Sequence, residues 1–169
     1  ESSFKQSIAL KADFAEAHSN LGNTLQELGR LKEAQDSYMQ AIALKPDYAE
    51  AHSNLGNTLK KAGKLKEAKA SYRQSIALAP DYAEAHSNLG ITLQELGILD
   101  EAEASYKQAI VLKPDLAEAH SNLGFTLQEL GRLGEAEASF KQSIVLNPDF
   151  ADAHYNLANT LKELGRLEE

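Results

Sequence analysis

The sequence predicts an all-α fold, an α-solenoid in which antiparallel helix pairs of constant length stack on one another. Two observations predict it. The histidines His18, His52, His86, His120 and His154 and the prolines Pro46, Pro80, Pro114 and Pro148 each recur every 34 residues. Within each interval, apolar residues return with the period of a helix. Residues 15–48 and 49–82 are identical at 25 of 34 positions, and 83–116 and 117–150 follow the same template. A fixed period of this size indicates a stacked array rather than one closed core.

In the repeat 49–82, Ala51, Leu55, Leu59 and Ala62 stand at i, i+4, i+8 and i+11, one apolar stripe of a first helix. Asp47 and Glu50 have the spacing of a capping box at its start. Gly63 is expected to end it in the left-handed conformation. Leu65, Ala68, Tyr72, Ser75 and Ile76 form the stripe of a second helix, which Pro80 terminates. Each helix should run about 14 residues, roughly 21 Å. Helices this short are marginal alone, so neighbouring repeats must bury each other's stripes.

Counting outward from these landmarks gives the expected boundaries. Residues 1–14 read as the second helix of a partial repeat, 15–48, 49–82, 83–116 and 117–150 as full repeats, and 151–169 as the first helix of a further partial repeat. The two partial repeats are complementary halves, which predicts head-to-tail self-association of 151–169 with 1–14 of a second copy.

Composition narrows the function classes. With 43% hydrophobic and 25% charged residues, the 169-residue chain is of ordinary soluble composition. It contains no cysteine, which excludes disulfides, thiol nucleophiles and zinc–thiolate sites. A net charge of −8 argues against nucleic-acid binding, which needs Lys and Arg to neutralise phosphates. Apolar runs fall short of a membrane span and no basic-then-apolar leader opens the chain, so a cytoplasmic protein without membrane partners is expected. No phosphate-binding glycine loop, zinc-protease motif or nucleophile elbow occurs, and the His–Ser neighbours at i and i+1 do not face each other on a helix. Neither enzymatic activity, nor a metal, nor a cofactor is expected.

The pattern His52-x-x-Leu55-Gly56-x-x-Leu59, Ala68-x-x-x-Tyr72, Pro80 resembles the tetratricopeptide repeat, over the whole chain. His replaces the usual Trp and Leu59 replaces the first Tyr, and the His is expected to pack as that Trp does, buried and neutral. Gly56 and Ala68 are expected to be small because the paired helices approach closely there. The resemblance implies a right-handed superhelix whose first helices line the concave side, acting as a scaffold for an extended peptide or a partner protein. The recurring HSNLG block is also similar to the repeat array of O-linked N-acetylglucosamine transferases. That similarity implies an alternative, a substrate-recognition arm of a larger enzyme. The near-identity of the repeats leaves a third reading, a self-assembling or designed array without ligand.

The stripe opposite the apolar face of the first helices holds the candidate ligand contacts. Asn20, Asn54, Asn88, Asn122 and Asn156 form a ladder of amides, each offering two donors and an acceptor to a peptide backbone. Beside it stand Asn23 and Asn57, replaced by Ile91 and Phe125 in the next two repeats, where an apolar ligand side chain could be seated. The repeat 49–82 is the one net basic repeat, and its Lys60 and Lys61 could meet an acidic group. Glu27, Glu95, Glu129 and Glu163 sit near helix C-termini, where the dipole disfavours anions, suggesting either basic ligands or pairing with the nearby Arg30, Arg132 and Arg166.

Overall fold

A computed structural model describes the backbone of residues 2–166 and the side chains of residues 14–166. The described residues form helices α1 (Ser2–Glu27), α2 (Leu31–Leu44), α3 (Ala49–Lys61), α4 (Leu65–Leu78), α5 (Ala83–Glu95), α6 (Leu99–Leu112), α7 (Ala117–Glu129), α8 (Leu133–Leu146) and α9 (Ala151–Glu163). The chain divides into two compact units, residues 1–81 with α1–α4 and residues 82–169 with α5–α9. In the first unit α1 packs on α2, α2 on α3 and α3 on α4. In the second, α5 packs on α6, α6 on α7, α7 on α8 and α8 on α9, while α7 also touches both α5 and α9.

One aromatic ring forms the centre of each helix pair. Tyr38, Tyr72, Tyr106 and Phe140 are all 0% exposed. Each lies against a glycine of the first helix, and a Cβ on Gly22, Gly56, Gly90 or Gly124 would come within 2.7, 2.7, 2.7 or 2.8 Å of the ring. The alanines expected to be small for the same reason, Ala34, Ala68, Ala102 and Ala136, are also fully buried. Gly63 ends α3 as expected, with φ +74°. Gly63 N–H donates to Lys60 O at 2.9 Å and Lys64 N–H to Leu59 O at 2.9 Å, the paired bonds of a Schellman motif.

Three local expectations are corrected. First, α1 runs unbroken through the boundary placed between residues 14 and 15. Ala12 occupies the position held by Pro46, Pro80, Pro114 and Pro148 in the following repeats, so no missing N–H or ring clash stops the helix there. Second, Asp47 caps nothing: the N-cap of α3 is Tyr48, without a side-chain cap bond. The turn is closed by backbone bonds instead, Tyr48 N–H to Lys45 O and Ala49 N–H to Asp47 O, both 3.1 Å.

Third, the histidines are not core residues. His52 and His120 are half-buried and His154 is exposed. Their Nε2 atoms lie 3.1, 3.0 and 2.8 Å from the carbonyl oxygens of Pro46, Pro114 and Pro148. A carbonyl only accepts, so each Nε2 carries the proton and pins the first helix to the turn before it. Both the neutral ring and the imidazolium can donate this bond.

The second helices carry a repeated ion-pair motif. Glu103 receives Lys107 Nζ and Arg132 Nη1, each at 2.7 Å; Glu137 receives Lys141 Nζ and Arg166 Nη1, each at 2.7 Å. The hydrogen bonds from Lys107 and Lys141, reinforced by the two arginines, hold both carboxyls below the usual glutamate range. A depressed carboxylate stabilises the fold above its ordinary range, near pH 4.3, and that contribution is lost as the pH falls through the lower folded value. Urea unfolding midpoints should therefore drop between pH 5 and 3. The Glu103→Gln/Glu137→Gln double variant should show a shallower drop, and parallel profiles would refute the assignment.

Candidate functional site

The candidate residues all lie on the first helices α1, α3, α5, α7 and α9, and the structure separates them into two groups. Asn23 and Asn57 are engaged within the fold: Tyr38 Oη donates to Asn23 Oδ1 at 2.6 Å, and Tyr72 Oη to Asn57 Oδ1 at 2.7 Å. Burial, together with the charges of Glu50 and Glu27, pushes the Tyr38 phenol up to about 12, so it remains a donor at all physiological pH values. Asn23 Oδ1 accepts a second bond, from Asn54 Nδ2 at 3.2 Å. Asn54 thus ties α3 to α1, and its amide is partly committed to the fold.

The two substitutions of this position remake the second unit. Where Ile91 stands, Tyr106 Oη turns to Gln94 Oε1 at 3.0 Å. Where Phe125 stands, the facing ring is Phe140, which has no hydroxyl to satisfy. Asn122 and Asn156 lie 31 residues after Ile91 and Phe125, the same offset as from Asn23 to Asn54. Their amides have lost the acceptor that holds Asn54, and neither has a side-chain hydrogen-bond partner among the described residues. One substitution therefore does two things: it exposes an apolar side chain and frees a neighbouring amide.

These groups converge on a concavity of about 270 Å³ lined by Gln94, Ser121, Asn122, Phe125, Phe150, Asp152 and Asn156. Phe125 is 38% exposed there. Ser121 is only 4% exposed, and its hydroxyl has no partner among the described residues. Gln94 is held in place by accepting from Tyr106 Oη and from Thr126 Oγ1 at 3.2 Å. Of the predicted contacts, Asn122, Phe125 and Asn156 are brought together in it. Gln94, Ser121, Phe150 and Asp152 were not among the candidate contacts, although Asp152 stands four residues before Asn156 on the same stripe of the first helix. The position of Phe150 is also aromatic in Tyr48 and Tyr82, which was the available signal.

The remaining candidates stand apart from the concavity. Asn20 is exposed and Asn88 half-buried, each outside it; Ile91 is half-buried. Lys60 and Lys61 close the last turn of α3, and neither has an ion-pair partner among the described residues. Among the described residues Arg30 pairs with Glu33, Arg132 with Glu135 and Glu103, and Arg166 with Glu137. Glu163 instead accepts from Gln128 Nε2 at 2.9 Å. Among the described residues no group of three or more His, Asp or Glu could hold a metal ion, and no helix is long and apolar enough to cross a membrane.

Family models described as tetratricopeptide repeat match residues 13–81 and 71–104, and a model described as TPR repeat matches 95–131 and 127–165. The chain belongs to the tetratricopeptide repeat family. No curated protein matches its sequence significantly. Solved tetratricopeptide structures superpose on most of it. MamA from Desulfovibrio magneticus RS-1 is 17% identical with TM-score 0.85, covering 92% of this chain and 88% of that one. YrrB, described as a TPR protein with an unusual peptide-binding site, is 26% identical with TM-score 0.79, covering 98% and 85%. The first TPR of Spaghetti (RPAP3), solved bound to the HSP90 peptide SRMEEVD, is 25% identical with TM-score 0.70, covering 71% and 95%. The fold class is thus the helical-repeat solenoid of tetratricopeptide proteins, and the matched family is one of scaffolds rather than of catalysts.

Proposed function

We propose that this tetratricopeptide chain is a protein-interaction scaffold that holds an extended peptide, or an extended segment of a partner protein, on the face of its first helices. The observation that carries the reading is the concavity of the second unit, where Ser121, Asn122 and Asn156 present unpartnered polar groups around Phe125. Solvent-reached amides and a hydroxyl that the fold leaves unengaged can donate to and accept from a peptide backbone. The peptide-bound RPAP3 repeat and the peptide-binding site of YrrB support the same use of the fold. Asn20, Asn88, Ile91, Lys60 and Lys61 extend the candidate contacts along the faces of their own units. In a random-peptide phage selection, the full chain is expected to enrich extended peptides. The Asn122→Ala/Asn156→Ala variant should lose at least fivefold of that signal, and failure of the unmodified chain to enrich any peptide refutes the reading.

A second reading, head-to-tail self-association, is favoured by apolar side chains left open on α1 and α9. Phe14 and Leu21 are 60 and 49% exposed on one stripe of α1, Leu28 just after it is 65% exposed, and Tyr155 on α9 is 69% exposed. The side chains of residues 1–13 and the structure of 167–169, which this reading also uses, lie outside the described residues. Light scattering should then show mass rising with concentration, and a strict monomer at millimolar concentration excludes it.

A further inference from the structure

We infer that the concavity of the second unit is a receptor for an arginine side chain of the bound peptide. The inference rests on the scaffold reading above and names the chemistry its ligand must carry. Four observations lead to it. The concavity, about 270 Å³, is below the usual size of a small-molecule pocket and suits a single long side chain. Two aromatic residues, Phe125 and Phe150, line it with the carboxylate of Asp152. A planar guanidinium stacks on such rings and forks onto a carboxylate, which a compact ammonium does less well and an apolar side chain not at all.

The third observation is what the polar lining lacks. Asp152, the amides of Asn122 and Asn156, and the hydroxyl of Ser121 have no hydrogen-bond partners among the described residues. Together they offer several acceptors to a group with five donors. An acidic ligand would instead meet Asp152 with no cation in the lining to offset it. The fourth is charge. Residues 82–169 carry six Lys and Arg against fifteen Asp and Glu, a net −9, whereas residues 1–81 are net +1. On the second unit five of the six cations are engaged, Lys107, Arg132, Lys141 and Arg166 with Glu103 and Glu137 and Lys113 with Glu84, while Lys162 stands in the last turn of α9, outside the lining. Glu118 and Glu129, on α7 with Phe125, have no such partner among the described residues and add a field that attracts a cation.

The test uses the full chain and fluorescent peptides of sequence Gly-Ser-Ala-X-Ala-Ser-Gly, with X as Arg, Lys, Leu or the neutral isostere citrulline. Binding is read by anisotropy and by amide chemical-shift changes. The Arg peptide is expected to bind at least tenfold more tightly than the citrulline and Leu peptides, and more tightly than the Lys peptide. Asp152→Asn and Phe125→Asn should each weaken the Arg peptide at least fivefold while leaving circular dichroism unchanged. The second variant installs the residue held at this position by Asn23 and Asn57, and the unchanged circular dichroism checks that it folds although Phe140 offers it no hydroxyl. Equal binding of Arg and citrulline peptides, a preference for Leu, or full retention by both variants overturns the arginine receptor. A preference for Leu leaves the scaffold reading standing, whereas loss of all peptide binding, including that of library-selected sequences, brings down both.

Discussion

Replacing Tyr106 by Ala is expected to destabilise the chain by about 3–5 kcal/mol, the range for removing a large, fully buried ring. The side chain is 0% exposed and packs on Gly90, so its removal opens a void that helices α5 and α6 cannot close without giving up their mutual contact. Tyr106→Phe should cost far less, about 0.5–1.5 kcal/mol, because only the hydroxyl bond to Gln94 is lost and Gln94 still accepts from Thr126. The chain holds its own precedent in Phe140, which fills the equivalent position without a hydroxyl. Urea unfolding followed by far-UV circular dichroism separates the two variants. Equal losses would mean that the hydrogen bond, rather than the packed ring, dominates.

The contrast between these variants marks how far the sequence could be read. The period, the helix ends at Gly63 and Pro80, and the small residues at Gly56 and Ala68 were legible because each has one local physical cause. The pairing of Asn23 with Tyr38 was not, because an amide on a helix is polar whether it faces a ligand or a phenol 15 residues later. The signal was present as a correlation within the chain. The first position runs Asn23, Asn57, Ile91, Phe125 while the second runs Tyr38, Tyr72, Tyr106, Phe140: the acceptor is lost first, at Ile91, and the hydroxyl only in the last repeat, at Phe140. The continuation of α1 had a similarly small signature, Ala12 in the place of a proline. The concavity combined both kinds of information: Phe125 was visible as a departure from the template, but the freed amide of Asn156 follows only from the contact between Asn54 and Asn23.

The glycines give the sharpest test of the packing argument, because three substitutions by Ala should differ in sign. In an exposed helix, Gly→Ala is favourable by about 1 kcal/mol. Gly134 on α8 has nothing within 4 Å of a built Cβ, so Gly134→Ala should stabilise by up to about 1 kcal/mol. Gly131 also has open space but sits at φ +74°, so Gly131→Ala should destabilise through backbone strain of about 1–2 kcal/mol without any steric contact. Gly90→Ala places its methyl 2.7 Å from Cε1 of Tyr106, a ring enclosed on all sides. Overpacking of this kind costs about 1–3 kcal/mol and should outweigh the gain in helix propensity. A cycle with Tyr106→Leu identifies the cause: if the clash with the ring is responsible, Gly90→Ala becomes neutral or stabilising once the ring is gone. An unchanged penalty in the Leu background would place the cost in the helix backbone instead. Ala158 of α9 is the control within the chain, since it stands in the glycine position and is exposed.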